Sequence, residues 1–500
     1  MELELSSAVR TAVIITFMVY SIVLLAVGVY TKRRMDKTAL DKYVEEFYTG
    51  GRGMGALVIA LMIAAGLCSA GTFLGGPGLG YSLGLTWVTV GFAQNFMNFC
   101  ILGQIGKKVG IVARRINAES YLDLFVYRYN HNKFVGLFGV VAITVFLGSY
   151  VVAQFVGGAR LFEMMTGLPY AFGLSMFALV VLAYAAFGGI RGVSTAIVIQ
   201  GLVMTAAVFA LFVGGLRFIG PLEPAVKSIA EIDPDLINPW AWNLRYHISM
   251  WVVFGLIMIA LPHGAMGALV YKDTKAMHKA IMLGVVFVVV WTFILIWMGH
   301  MTRAVFPDLA VADYAIPSLA MAVLPPWLAG VALAGVAGAI QSTVGAMIII
   351  ISSSVVKNAY LAYINPEADN AKRKKVTVGA TVAICIAVFI GALSPPQALQ
   401  WIIVFAVGGL ASAFFWPLLL GLYWMRTNEY GAAAGMAGGM ATYIIGAGNY
   451  LPISMGMNAI VVSLLVSLVL TVGVSLVTPK SPKGIIMTWF GKDYPKNILA

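Results

Sequence analysis

Residues 54–82 read MGALVIALMIAAGLCSAGTFLGGPGLGYS. The stretch is long and apolar enough to cross a bilayer, which takes roughly 20 residues. Yet its middle is crowded with Gly, Ser and Ala, and Pro77 interrupts its end. A simple lipid-facing anchor has no use for such a break. In hydrocarbon, a freed backbone group survives only when it is buried in protein or lines a cavity. In secondary transporters a discontinuous helix marks a substrate and ion site near the midplane. The segment therefore implies a transporter and says where its site lies.

The rest of the chain agrees with that environment. Of its 500 residues, 61% are hydrophobic and 10% charged, a balance foreign to soluble domains. Thirteen candidate spans follow, at roughly 9–30, 55–81, 85–106, 134–164, 171–187, 192–216, 248–270, 280–302, 328–356, 376–393, 399–424, 430–448 and 457–477. The expected fold class is an all-α polytopic membrane protein, a single transmembrane domain over residues 1–500. The N-terminus shows neither a basic n-region nor a small-residue cleavage site, so no cleaved signal peptide is expected.

The net charge of +12 is explained by topology. With the N-terminus outside, the inner loops and tail carry 26 of the 32 lysines and arginines, as the positive-inside rule requires. The C-terminus then lies in the cytoplasm. The partners expected are a lipid bilayer, a small solute and a cation, with no nucleic acid. Cys68, Cys100 and Cys385 lie in apolar spans without CxxC spacing, so neither a disulfide framework nor a zinc site is expected.

A second interruption, Leu261-Pro262-His263-Gly264, falls within the seventh span. Proline in mid-span removes a helix hydrogen bond. Two interrupted spans, each first in a group of five, form the pattern of a five-plus-five inverted repeat. The division expected is an extra N-terminal helix at 9–30, core repeats at 55–216 and 248–424, C-terminal helices at 430–477 and a tail at 478–500. Two outer loops are long, 217–247 and 303–327. In the second, the apolar run between Pro317 and Pro325 is too short to cross. It reads equally as a short capping helix or as surface loop.

Charge placement narrows the chemistry. Glu163 sits at the outer end of span four, and the other acids fall in loops, tails or span margins. Proton-coupled carriers usually keep a carboxylate at depth; here only His263 is titratable there. A cation site must then use carbonyls and hydroxyls, which favours Na⁺. The spans also lack HExxH, paired carboxylates and a nucleophile with nearby His and acid, so no enzyme is expected. Ser342-Thr343, in AGAIQSTVGAM, reads either as helix-packing glue or as a pair of ligands.

ARRINAESYLDLF after span three, FGGIRG before span six and GGARLFEMMTGLPY resemble the sodium/solute symporter family. LPHGAMGALVYKDTKAMHKAI and RAVFPDLAVADYAIPSLAMAVLPP carry the resemblance into one branch of it. The likeness runs from about residue 45 to 430. It implies a leucine-transporter-like fold of about thirteen transmembrane helices. It also implies Na⁺ as coupling ion and, as cargo, a small organic anion, pantothenate first. Another monocarboxylate, or an amino acid such as proline, is the alternative; a non-transporting solute sensor is the rival from another class.

Carried over residue by residue, the resemblance puts Na⁺ among the carbonyls of Ala65, Cys68 and Ala339 and the hydroxyls of Ser342 and Thr343. The substrate pocket beside it draws on Ser69, Thr72, Gln94, Tyr150, Gln154, Trp251 and His263. Each of these has a structural alternative: Trp251 as interfacial anchor, Gln94 and Tyr150 as interhelical partners, His263 as a prop for the Pro262 break. Arg160 either attracts an anion or snorkels. Ile197, in TAIVIQ, stands where the family usually has Asp. One Na⁺ per substrate is therefore expected.

Overall fold

The computed structural model describes residues 7–96, 99–394, 399–448 and 456–491. Among these the chain is helical between its turns, and the only extended pairing is an isolated bridge of Met54 with Tyr271. Nine described helices are long and apolar enough to cross a bilayer, or ten with one bent pair, against thirteen expected. The other three segments are helical but fall short for separate reasons. Residues 85–106 are divided into Leu85–Phe92, Ala93–Phe96 and Phe99–Gly106, with 97–98 outside the described residues. Tyr170–Ala185 has 16 residues, below the usual spanning length. Glu429–Ala447 has 19, but its glycines lower its hydropathy.

Burial sorts the helices into a centre and a rim. The apolar window of Pro326–Ile364 is 100% buried and that of Leu244–Val270 is 83% buried, whereas Asn370–Ala392 and Arg10–Met35 bury 28% and 33%. A helix apolar on every side belongs in the middle of a bundle. The central helix packs on Gly189–Ile219, on the N-terminal helix Ser7–Met35 and on Ala56–Leu67.

The expected break is present and can be placed. Ala56–Leu67 and Gly71–Leu83 meet at 63°, and the helical path is lost at Cys68, with φ −87° and ψ 88°. Pro77 is not the interruption. It lies just beyond the π-turn Gly71–Gly75, within a helical path that runs on unbroken from Gly71 to Leu83. The second interruption falls at Leu261, whose ψ is 128°, and Pro262 opens Pro262–Val270.

The two long loops are structured. Residues 217–247 hold the helix Leu222–Ile232 and a turn over Pro234–Ile237. Gly84, at φ +61°, lies so close to Leu236 that a Cβ would strike its backbone. In 303–327 the capping-helix alternative holds, as Ala315–Val323. Tyr81 ties this segment to the broken helix, donating to the Phe306 carbonyl at 2.7 Å and accepting from the Leu309 N–H at 2.9 Å.

On the opposite face, Ser120 and Asp123 form a capping box at Tyr121–Arg128. Asp123 also meets the far end of the central helix. Lys357 Nζ lies 3.0 Å from its carboxylate and 2.8 Å from that of Glu119, and Asn358 donates to it at 2.8 Å. Burial pushes the Asp123 carboxyl up, but Lys357, Asn358 and the Glu119 N–H outweigh it and hold it below the usual carboxylate range. A depressed carboxyl contributes stability above its unfolded pKa and loses it as pH falls through the folded one. Lys357→Ala should therefore destabilise the protein by about 2–3 kcal/mol, less than a fully buried pair would lose. Differential scanning fluorimetry at pH 7 checks this; an unchanged melting temperature would show that the pair does not pin the helix.

Candidate functional site

The site grows out of three diverted hydrogen bonds. In a continuous helix the N–H groups of residues 69, 70 and 71 would close on the carbonyls of 65, 66 and 67. Here the Ala65 carbonyl instead accepts from Thr343 Oγ1 at 2.7 Å and Ser342 Oγ at 3.4 Å. The Ala70 N–H donates to Gln154 Oε1 at 2.8 Å. The Gly71 N–H donates to Ser69 Oγ at 3.1 Å. The next helix then starts on the Ser69 carbonyl, which accepts from Thr72 and Phe73. Side chains from two other stretches, together with Ser69 of the break itself, thus meet the backbone demand that the break creates.

Around Ala65 the oxygens converge. Thr343 Oγ1 and Ser342 Oγ also donate to the Ala339 carbonyl, at 3.0 and 2.9 Å. Ala65, Cys68, Ala339, Ser342 and Thr343 are all fully buried. The ψ of 88° at Cys68 turns its carbonyl out of the helical ladder. Two hydroxyls and the nearby carbonyls form a neutral oxygen cluster. Among the described residues, no group of three or more His, Cys, Asp or Glu could hold a metal. This chemistry suits a hard monovalent cation.

A second group adjoins the break. Ser69 Oγ and Tyr150 Oη share a hydrogen bond at 3.1 Å. The His263 ring meets Tyr150 edge to face, with centroids 5.5 Å apart. Both ring nitrogens of His263 and the Gln154 amide nitrogen are buried without a partner. Buried polar atoms of that kind call for an explanation, and a polar solute supplies one. The two interruptions touch: the His263 carbonyl would lie 3.9 Å from a Cβ at Gly66. Tyr121 Oη donates to the Ala260 carbonyl at 2.8 Å, so this prop of the Pro262 break is a tyrosine rather than His263.

Not every expected residue arrives here. Thr72 is buried on the first turn beyond the break. Gln94 is buried on the turn Ala93–Phe96, with Oε1 unpartnered; no described hydrogen bond or ring contact joins it to the Ser69 group. Trp251 stands apart. It is 39% exposed and packs on Trp240 and His247, at the end of Leu244–Trp251 rather than in its interior. Gln400 was not anticipated. Its Oε1 would lie 2.7 Å from a Cβ at either Gly71 or Gly75, and it is buried and unpartnered. A lone Gln at the margin of an apolar span carries no periodic signal. The glycines facing it were the available clue.

The model of the sodium:solute symporter family matches residues 47–439. The chain belongs to that family. Among its relatives, the sodium/pantothenate symporter of Haemophilus influenzae is 37% identical over 84% of this chain and 87% of its own. The sodium/pantothenate symporter of Escherichia coli is 35% identical over 91% and 94%. The osmoregulated proline transporter OpuE of Bacillus subtilis is 26% identical over 94% and 96%. Among solved structures, a Na⁺-coupled sialic acid symporter in a substrate-bound outward-open state aligns with TM-score 0.76 at 17% identity, covering 94% of this chain and 99% of that one. MhsT in complex with L-phenylalanine aligns at 0.51 and 15% identity, covering 85% and 98%.

The symporter is thus a multi-pass membrane protein with the leucine-transporter-like fold, and it moves a small solute with Na⁺ rather than catalysing a reaction. In this symporter Gln154 is what holds the Ala70 N–H in the break. Gln154→Leu should leave that donor unpaired and cost about 1–3 kcal/mol. Scanning fluorimetry of the detergent-solubilised variant in sodium-free buffer measures this. A melting temperature equal to wild type would mean that the break does not rest on Gln154.

Proposed function

We propose that this symporter imports pantothenate, or a closely related carboxylate, with one Na⁺ per molecule. The single observation that carries the reading is the Ser69–Cys68–Ala65 break, where a neutral oxygen cluster and a group of polar side chains share three residues of backbone. Na⁺ binds the carbonyls of Ala65, Cys68 and Ala339 and the hydroxyls of Ser342 and Thr343. On ion entry the two hydroxyl protons turn away, and oxygens that now bond one another face the cation instead. Full burial favours this exchange, because a dehydrated ion needs compensating ligands on every side.

The cargo sits across the break, against Ser69, Thr72, Tyr150, Gln154, His263 and Gln400. Gln94 joins them, and Trp251 is kept at the vestibule edge. Hydroxyls, amides and an aromatic face suit a molecule with a carboxylate, an amide, hydroxyls and a gem-dimethyl group. The sodium/pantothenate relatives support this cargo over proline, being more similar along the chain than OpuE.

The basic loops support a plasma (inner) membrane orientation with the N-terminus outside and the C-terminus in the cytoplasm. The repeat halves are 55–216 and 248–424, flanked by the helix at 9–30, the helices at 430–477 and the tail at 478–500. With Ile197 in place of an acid, one Na⁺ balances one monoanion. The cycle then moves no net charge, and the membrane potential does no net work.

Uptake of labelled pantothenate into proteoliposomes tests all of this. It should require an inward Na⁺ gradient, ignore a pH gradient alone, resist competition by proline and be insensitive to a valinomycin-imposed potential. Thr343→Ala removes a ligand worth about 1–2 kcal/mol by analogy with a lost hydrogen bond, and should raise half-saturating Na⁺ about tenfold. Thr343→Ser should be mild. Full uptake without Na⁺, or an unchanged Na⁺ dependence in Thr343→Ala, would overturn the sodium site. Preference for another solute would overturn the cargo alone.

A further inference from the structure

The transport site leaves one built feature unused. On the face that carries Asp123 and Lys357, the N-terminal helix ends in Lys32, Arg33 and Arg34, followed by Lys37. Beside it starts Asn370–Ala392, whose first turns hold Lys372, Arg373, Lys374 and Lys375. Between the turn that follows the N-terminal helix and Asn370–Ala392 lies an open groove lined by Leu40, Ala371, Lys374, Lys375 and Val378. Its floor is apolar and its rim is basic.

The rim is held in place. Lys374 Nζ stands 4.6 Å over the Tyr43 ring and 3.7 Å from the Asp36 carboxylate. Its stem is thereby fixed along the groove, and Lys375 beside it is exposed. Asp369 caps the helix through the Lys372 N–H. Asp36, Asp41, Glu45, Glu367 and Asp369 are the nearby acids. Lys32, Arg33, Arg34, Lys37, Lys42 and the run from Lys372 to Lys375 outnumber them. Leu40 is 49% exposed although it lies among these charges. An apolar floor continuing onto a membrane helix, under a cationic rim, matches a molecule with an anionic head and a hydrocarbon tail.

We propose that this groove binds an anionic phospholipid, with its phosphate at Lys374 and Lys375 and its upper acyl chain on Leu40 and Val378. Juxtamembrane lysines attract anionic headgroups with about 1 kcal/mol each. The apolar floor adds what a free phosphate cannot use. The bound lipid would bridge the turn at Leu40, just after the N-terminal helix, and Asn370–Ala392, a helix at the rim of the bundle.

The test is a thermal-shift titration of the full-length protein in detergent. The probes are phosphatidylglycerol, phosphatidylcholine and tail-free glycerol phosphate. Phosphatidylglycerol should stabilise the wild type more than phosphatidylcholine does, and glycerol phosphate should have no effect. Lys375→Gln, at an exposed side chain, should weaken the phosphatidylglycerol response about fivefold in apparent affinity; Lys374→Gln/Lys375→Gln should abolish it. Lys279→Gln, exposed outside the groove, should retain it. Equal responses to both lipids, a full response in Lys375→Gln, or a shift produced by glycerol phosphate alone would each overturn the proposal.

Discussion

The hydrogen bond from Thr343 to the Ala65 carbonyl, at 2.7 Å, is the contact on which the rest of the structure depends. A buried carbonyl must find a donor, and in a helix that donor comes from the next turn. Here it comes from the central helix. The carbonyl is therefore held outside its own ladder, and the chain is free to bend by 63° within three residues. Removing the hydroxyl would leave the carbonyl seeking the Ser69 N–H, which favours closing the helix and losing the break.

The same three residues serve the other side. The Ala70 and Gly71 N–H groups, freed by the bend, are taken by Gln154 and by Ser69 itself. Ser69 in turn meets Tyr150, and Tyr150 meets His263 at the second interruption. In the proposed reading, geometry on the ion side and geometry on the solute side are thus fixed by one segment of backbone. Under that proposal, a cation that draws the Ala65 and Cys68 carbonyls together sets the angle at which Ser69 and Gln154 are presented. Coupling of this kind needs no long pathway, only a shared element that both ligands bias.

Much of this was legible in the chain. Gly, Ser and Ala in the middle of an apolar span exposed the break, because such residues have no purpose facing lipid. Ser342-Thr343 stood out as a hydroxyl pair in a Gly/Ala-rich helix, although its pairing with Ala65 rested on the family resemblance. The position of the break was less clear. Pro77 drew attention as the strongest helix breaker, yet the helical path runs through it behind the π-turn Gly71–Gly75. Trp251 looked interior because its span is apolar, but it ends Leu244–Trp251 and is 39% exposed. Gln400 escaped notice because a single amide has no pattern. Thirteen spans were counted by apolar length alone, which does not register a helix shortened to 16 residues or diluted with glycine.

Hydrogen exchange of the purified protein tests the central claim most directly, since it reads the backbone amides of the break without requiring transport. Adding Na⁺ in place of choline should slow exchange in peptides covering 64–75 and 339–343, and this protection should vanish in Thr343→Ala. Equal exchange with and without Na⁺ across both segments would contradict the account that the broken helix and the central helix together hold the ion.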